Sequence, residues 1–393
     1  MRHIDDDERR ARAVARHHLG RTAPDVVAAV RGVVAQHSSD PITPPLAAWA
    51  RVPDLSVAAW EHVMYDQRSL WRMHAMRRTL FVVPSDEAAI FDGAAGADVA
   101  RKERDRLEKW VAEAELAEDV PAWIAAVERD TLAALDDGVE RRTPELSEAV
   151  PALSSTITVG SGRWTTQVNL GSRLLMVMAL DGALARSRPA GTWRSSQYHW
   201  VSGHRFAGHP GRFGAANPMP AARSRAELLR RYLATHGPAT LNDLRWWTGW
   251  TVARTKAALK AVEAIEVALD GGAGFVLPDD VEVRETAARH VSLLPGLDST
   301  TMGWKERDWY LGPHAGPLFD RNGNAGPTVW VDGRIVGAWA QREGGEVVFR
   351  LLEDVGREAE RAVEAEAAAL AGFFDGATVK PRFRTPLERE LAG

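Results

Sequence analysis

The chain contains no cysteine in its 393 residues. Structural disulfides, thiolate-held iron–sulfur clusters, thiolate zinc sites and a cysteine nucleophile are therefore excluded. No apolar run approaches the ~20 residues that span a bilayer. The opening stretch MRHIDDDERRARAV puts acid before base and has no apolar centre, so no secretory signal is expected and the expected location is cytoplasmic, at the nucleoid. No glycine-rich phosphate loop with a following Lys-Ser/Thr is present, and no Gly-x-Ser-x-Gly elbow. Asp5-Asp6-Asp7 reads as acid at a helix start. His17-His18 are adjacent and cannot share a helix face. No metal and no cofactor is expected. A basic excess is also missing: 49 Lys+Arg against 53 Asp+Glu give a net charge of −4. That speaks against a protein that coats nucleic acid, but not against one local basic face over an acidic remainder.

What is present is the composition of a globular protein, 45% hydrophobic and 26% charged, in a length that allows two or three domains. Its 15 tryptophans are too many to expose, so most must be core. Two segments carry the winged-helix order of helix, helix, glycine turn, helix and hairpin. In 220–285, Ala226 to Thr235 is a helix ended by Gly237-Pro238, and Thr240 caps a second helix from Leu241 to Trp247. Thr248-Gly249-Trp250 turns, and Thr251 to Val262 is a third helix carrying Arg254, Lys256 and Lys260. Ile265 to Leu269 and Phe275 to Leu277 then form the hairpin. Trp246, Trp247 and Trp250 read as core. In 121–205, Trp123 to Leu135 is the first helix. Thr143-Pro144-Glu145-Leu146 opens the second with threonine at the cap. Thr165 to Leu180 is the third, and a hairpin follows to Trp200. A third copy is expected near residues 55 to 83. Such repetition suits a scaffold around an extended ligand.

The N-terminal region, 1–120, starts with helices from Asp5 to Leu19 and from Pro24 to Val34, the second with Pro24 in its first turn. Gln36-His37-Ser38-Ser39-Asp40-Pro41 follows, six polar or turn-forming residues between apolar segments, with Asp40 at a bend before proline. Ser56 caps a helix to about Tyr65. Arg77 to Val83 reads as a strand after a helix, and Leu107 to Ala117 as a helix. In 286–393, strands are expected at Val291 to Asp298, Thr328 to Val331, Ile335 to Trp339, Glu346 to Leu352 and Thr378 to Phe383, with a helix from Val355 to Phe373. The fold class is thus α+β: tandem winged-helix units with a C-terminal small β-barrel or curled sheet and a flanking helix.

Ala48-Trp49-Ala50-Arg51, Met76-Arg77-Arg78-Thr79-Leu80, Phe319-Asp320-Arg321-Asn322-Gly323 and Val331-Asp332-Gly333-Arg334-Ile335-Val336-Gly337 occur in an order that resembles the AlkZ/YcaQ-type winged-helix DNA glycosylases over nearly the whole chain. The resemblance implies three tandem winged helices forming a concave scaffold, a β-barrel closing one side, and removal of alkylated purines from DNA. The family signature is glutamine, an apolar residue, then glutamine or aspartate, followed closely by Asp-Pro. Anchored on Asp40-Pro41 it falls on His37, Ser38 and Ser39. Anchored on a glutamine it falls on Val34, Ala35 and Gln36. The first register is preferred, and in both the double glutamine is absent.

Breaking an N-glycosidic bond builds positive charge on the sugar, which a nearby carboxylate stabilises, and a water must be held for attack. Asp40, His37 and Ser39 are the candidate catalytic residues, expected to project into a positively lined hollow that receives an extruded nucleotide. The bland alternatives are a capping or buried histidine, a turn-forming aspartate and a capping serine. Arg77, Arg78, Arg163, Arg173, Arg186, Arg188 and Arg194 are candidate phosphate contacts. Gln197 and Tyr198, in the hairpin from Gly191 to Trp200, are candidates to fill the vacated space. Arg321 and Asn322 could face the site, although turn chemistry also explains Asn322-Gly323. The expected partner is double-stranded, damaged DNA, bound by a monomer away from membranes. The alternative is a non-catalytic winged-helix regulator, disfavoured by the absence of coiled-coil heptads and by the large C-terminal module.

Overall fold

In the computed structural model, residues 1–159, 165–208, 212–215, 217–285 and 289–393 are described. They form two compact units that do not follow chain order. One gathers 1–70, 79–84 and 225–393; the other holds 71–78 and 85–224.

In the first unit Asp5 caps the helix Asp6–Arg16 by accepting the Glu8 N–H at 2.8 Å, with three acids in the first turn where the helix dipole favours them. The next helix, Val26–Gly32, is opened by Asp25, whose side chain accepts the Ala28 N–H. Pro24 therefore stands before the cap and not in the first turn, because Asp25 supplies the acceptor that an orphan N–H needs. Ser56 caps Val57–Glu61, which continues as a wider helical turn over His62–Asp66.

Farther along, Ala221–His236, Leu241–Thr248 and Val252–Ala261 are helices, the last two capped by Thr240 and Thr251. Gly249 ends the middle helix at φ 73°, left-handed backbone that glycine adopts freely. Ile265–Leu269 and Gly272–Val276 pair antiparallel behind them. His3–Ile4 adds a parallel third strand to this hairpin, a long-range pairing no local pattern announces. Trp247 and Trp250 are buried.

The C-terminal strands Val291–Leu294, Thr328–Val331, Arg334–Gln341 and Val347–Leu351 make an open antiparallel sheet in chain order, and no closed barrel forms among the described residues. Closure is unnecessary because helices cover the sheet. Gly356–Phe374 packs against the two edge strands, and Pro386–Ala392 against the last two strands. The strand expected from Thr378 to Phe383 is irregular backbone. Its Val379 N–H goes to Gln341 Oε1 at 2.7 Å and its Arg382 N–H to Asp40 Oδ2 at 2.7 Å, where a ladder would need main-chain partners.

In the second unit, helices Ala97–Glu113, Val120–Ala133 and Leu170–Leu180 surround a core that includes Leu107, Val111, Ile124, Leu174, Met178 and Trp200. Thr143 lies inside its helix, Thr143–Ala149, with Arg142 at the cap donating its N–H to Glu145 Oε2. The helix expected from Thr165 starts later. Thr166–Asn169 is a strand paired with Thr156–Val159, and Asn169 then caps the helix through the Ser172 N–H. Leu184–Pro189 and Tyr198–Ser202 form the expected hairpin, with a register shift between Arg186 and Pro189.

The strand expected from Arg77 to Val83 is shorter. Leu80–Pro84 is the strand, preceded by a turn at Met76–Arg78 and by the strand Leu70–His74, not by a helix. Arg77 and Arg78 take φ of 54° and 61°, a conformation no arginine preference signals.

Candidate active site and nucleic-acid surface

The polar hexapeptide is held from several sides within the first unit. Gln36–His37 pairs antiparallel with the strand Leu80–Pro84, opposite Val82 and Phe81. The Ser38 N–H extends that pairing to the Leu80 carbonyl. From the C-terminal third, Ser299 Oγ donates to the Ala35 carbonyl at 2.7 Å and accepts the His37 N–H at 3.2 Å. His37 sets its ring edge-on to Phe81, with centroids 5.5 Å apart. Its Nδ1 accepts the Ser39 N–H at 3.4 Å, so the neutral ring carries its proton on Nε2. His37 and Ser39 are half-buried.

Asp40 corrects one expectation. It does not project into a hollow: it is 4% exposed, and its carboxylate is turned onto backbone. Oδ1 accepts the Ile42 N–H at 3.3 Å and Oδ2 the Arg382 N–H at 2.7 Å, while the Arg382 guanidinium donates to the Ser39 carbonyl. Burial pushes the Asp40 carboxyl above the usual carboxylate range, opposed by these two N–H groups and by the Arg382 charge. A charge at Asp40 thus ties residues 39–40 to the segment before the last helix.

Behind the hexapeptide lies a buried polar knot. The Arg51 guanidinium is fully enclosed and spends all five N–H groups. It bridges Asp298 at 2.7 and 2.9 Å and donates to the His17 and Ala47 carbonyls and to Thr300 Oγ1. Asp298 and Thr300 flank Ser299, so the knot fixes the residue that touches His37. His17 Nδ1 sits 2.8 Å from Thr300 Oγ1 and its ring lies 4.4 Å from that of His236. Burial holds both imidazoles neutral, His17 well below the usual histidine range and His236 at about 3.

Sequence reasoning missed Ser299 and Arg382, which approach from the far end of the chain and leave no local signal. It met Gln36 as the first residue of the polar hexapeptide and, in the alternative register, as a signature position. Gln36 is fully buried, and neither its amide nitrogen nor its amide oxygen has a hydrogen-bond partner.

The structure divides the candidate DNA contacts. Arg321 and Asn322 are exposed in the first unit, in a turn organised by Asp320, whose Oδ1 accepts the Asn322 and Asn324 N–H groups. Turn chemistry accounts for Asn322. The others lie in the second unit. Arg77 and Arg78 are exposed, with Arg78 3.2 Å from Glu103. Arg173 is half-buried over Trp110, Arg188 is half-buried, and Arg194 donates to Thr192 Oγ1. Gln197 is exposed at the end of the hairpin loop, and the Tyr198 ring lies 4.4 Å from the Arg72 guanidinium. Arg186, expected on the surface, is buried, 4.9 Å from the Trp200 ring. Arg163 lies outside the described residues.

The sequence model of one protein family, AlkZ-like (DNA glycosylase AlkZ-like), matches residues 30–373. No curated protein matches the chain by sequence. Among solved structures, Streptomyces sahachiroi DNA glycosylase AlkZ is similar over 96% of this chain and 99% of that chain, with a TM-score of 0.71 at 21% sequence identity.

Proposed function

Because the chain belongs to the AlkZ-like DNA glycosylase family, we propose that it hydrolyses the N-glycosidic bond of purines alkylated at N3 or N7 in double-stranded DNA, with His37 and Ser39 at the reacting sugar. The observation that carries this assignment is the clamping of residues 36–40 by the strand Leu80–Pro84, Ser299 and Arg382, with His37 and Ser39 left half-buried. A group held this way keeps its geometry when substrate arrives.

An alkylated purine is already cationic and leaves readily, so the sugar cation forms with little acid assistance. The incoming water then needs positioning more than deprotonation. With Nδ1 accepting from the Ser39 backbone, His37 Nε2–H donates to one lone pair of the water while the other attacks the anomeric carbon. Ser39 Oγ accepts a hydrogen bond from that water, and the proton the water loses once the C–O bond has formed passes to solvent. Asp40 acts as a positioning residue and as a fixed negative charge behind the site. The helix–helix–helix–hairpin segments of both units serve as winged helices that carry the duplex, and the lesion leaves the stack to be reached.

The test is incubation with duplexes bearing N7-methylguanine or N3-methyladenine, reading free base by chromatography. Release from the alkylated duplexes and none from undamaged DNA is expected. No release from any alkylated purine would end this reading.

A further inference from the structure

Three buried arginines in this protein come with their own acids. Arg12 has Asp280 and Glu8, each at 2.9 Å; Arg51 has Asp298; Arg9 has Asp6 at 3.5 Å. Arg186 breaks the rule. It is 9% exposed, and among the described residues no carboxylate, carbonyl or hydroxyl accepts from its guanidinium, whose one close partner is the Trp200 ring. Two acids of this unit are engaged with other groups. Glu140 takes the hydroxyl of Ser187, the next residue, and Glu103 takes Arg78 and Arg106.

The surroundings of Arg186 add positive charge. Arg72, buried under the Tyr198 ring, and Arg186 are close enough to repel one another; burial first, and that repulsion after it, bring the Arg186 guanidinium down to about 10 against an opposing pull from Tyr198. His74, two residues along the same strand as Arg72, is held neutral at about 3 by burial and then by the charges of Arg186 and Arg78. Its Nδ1 is enclosed without a hydrogen-bond partner. All of these groups lie within the second unit. A buried cation without an anion is strongly unfavourable, and a guanidinium offers five donors in a fork that fits two oxygens of one oxyanion.

We propose that Arg186, with His74 beside it, forms an oxyanion subsite that takes one backbone phosphodiester of the bound DNA. The assignment rests on the glycosylase reading above for its ligand, since free phosphate presents the same oxygens. Tyr198 and His74 are both half-buried, so the cluster is not wholly closed to solvent. The phosphate supplies the charge that the fold omits, and the hairpin Leu184–Pro189/Tyr198–Ser202 is thereby fastened to one strand of the duplex.

The experiment measures affinity of the full chain for a duplex carrying a tetrahydrofuran abasic analogue over a range of KCl, together with thermal melting with and without inorganic phosphate. Arg186→Met should weaken binding and lower the slope of log K against log salt by about 0.9, the value of one phosphate contact. It should also raise the melting temperature, because it removes an uncompensated charge. Arg186→Lys should keep the slope while binding more weakly, and Arg186→Gln replaces the methionine variant if that one fails to fold. An unchanged slope in a folded, charge-free variant, with a lowered melting temperature, would make Arg186 a packing element and overturn the proposal. Phosphate that raises the melting temperature of the parent but not of Arg186→Met, with the DNA slope unchanged, would leave the oxyanion site standing and assign it to free phosphate. A parent that binds no DNA would instead count against the glycosylase reading, with the phosphate titration still deciding the site.

Discussion

Arg51 and Arg186 are both buried, one in each unit, and they do opposite things. Around Arg51 every donor is matched: Asp298 cancels its charge, and Thr300 and two carbonyls take what remains. Around Arg186 the Arg72 charge is of the same sign, and a tryptophan face and the Tyr198 phenol, neither of them a carboxylate, answer the guanidinium. A matched buried charge is a fastening, because any displacement strands both ions in a medium that solvates neither. An unmatched one marks a place where the chain alone is incomplete. The first kind stands behind His37, where rigidity serves chemistry; the second stands under a hairpin, where an incoming strand supplies the missing partner.

The contrast is sharpest in stability. Arg51→Met strands Asp298, which is fully enclosed, and should lower unfolding free energy by about 3–5 kcal/mol in urea titrations. A loss below about 1 kcal/mol would mean that the knot is not a fastening.

Acid should loosen both regions. His17 and His236 beside Arg51 and His74 beside Arg186 are all held neutral below the ordinary histidine value of 6.5, two of them at about 3. Their folded values are depressed, so the unfolded chain takes up protons first as pH falls. Their contribution is whole above 6.5 and drains as pH drops toward 3, at roughly 1.4 kcal/mol per pH unit for each histidine. Melting temperatures from pH 7 to 5 should fall steeply, and His236→Phe should flatten the fall. An unaltered slope in that variant would show that His236 titrates normally.

At the site itself, Asp40→Asn keeps one acceptor but sets an NH2 group against a backbone N–H, and should cost about 1–2 kcal/mol of stability and slow base release. The smallest effect has the reverse sign. Gln36→Leu removes an enclosed amide with no partner and should stabilise by about 1 kcal/mol. Destabilisation would reveal that the amide has work in the folded state.

Legibility in the sequence followed the range of the forces. The helices after Thr240 and Thr251 announced themselves because their caps, their glycine turn and their apolar faces lie within a dozen residues. The last helix, Pro386–Ala392, carried the same kind of signal in Thr385-Pro386 and was passed over. Elements whose partners lie outside their own segment were misread. Thr166–Asn169 is a strand because Thr156–Val159 pairs with it, and 378–383 stays irregular because its N–H groups go to Gln341 and Asp40 side chains. At the site, His37, Ser39 and Asp40 were picked from residue type and the Asp-Pro anchor. Nothing local could show that the Asp40 carboxylate turns onto Arg382, or that Ser299 fastens the strand.

The most direct measurement is the single-turnover rate of base release from an N7-methylguanine duplex by the parent, His37→Ala and Ser39→Ala, with binding to an abasic-analogue duplex measured in parallel. The His37 variant should lose at least about a hundredfold in rate, the range seen on removing one preorganised hydrogen-bond donor, and the Ser39 variant less, with binding little altered. Parent-like rates in both variants would contradict the placement of the chemistry at residues 37–39.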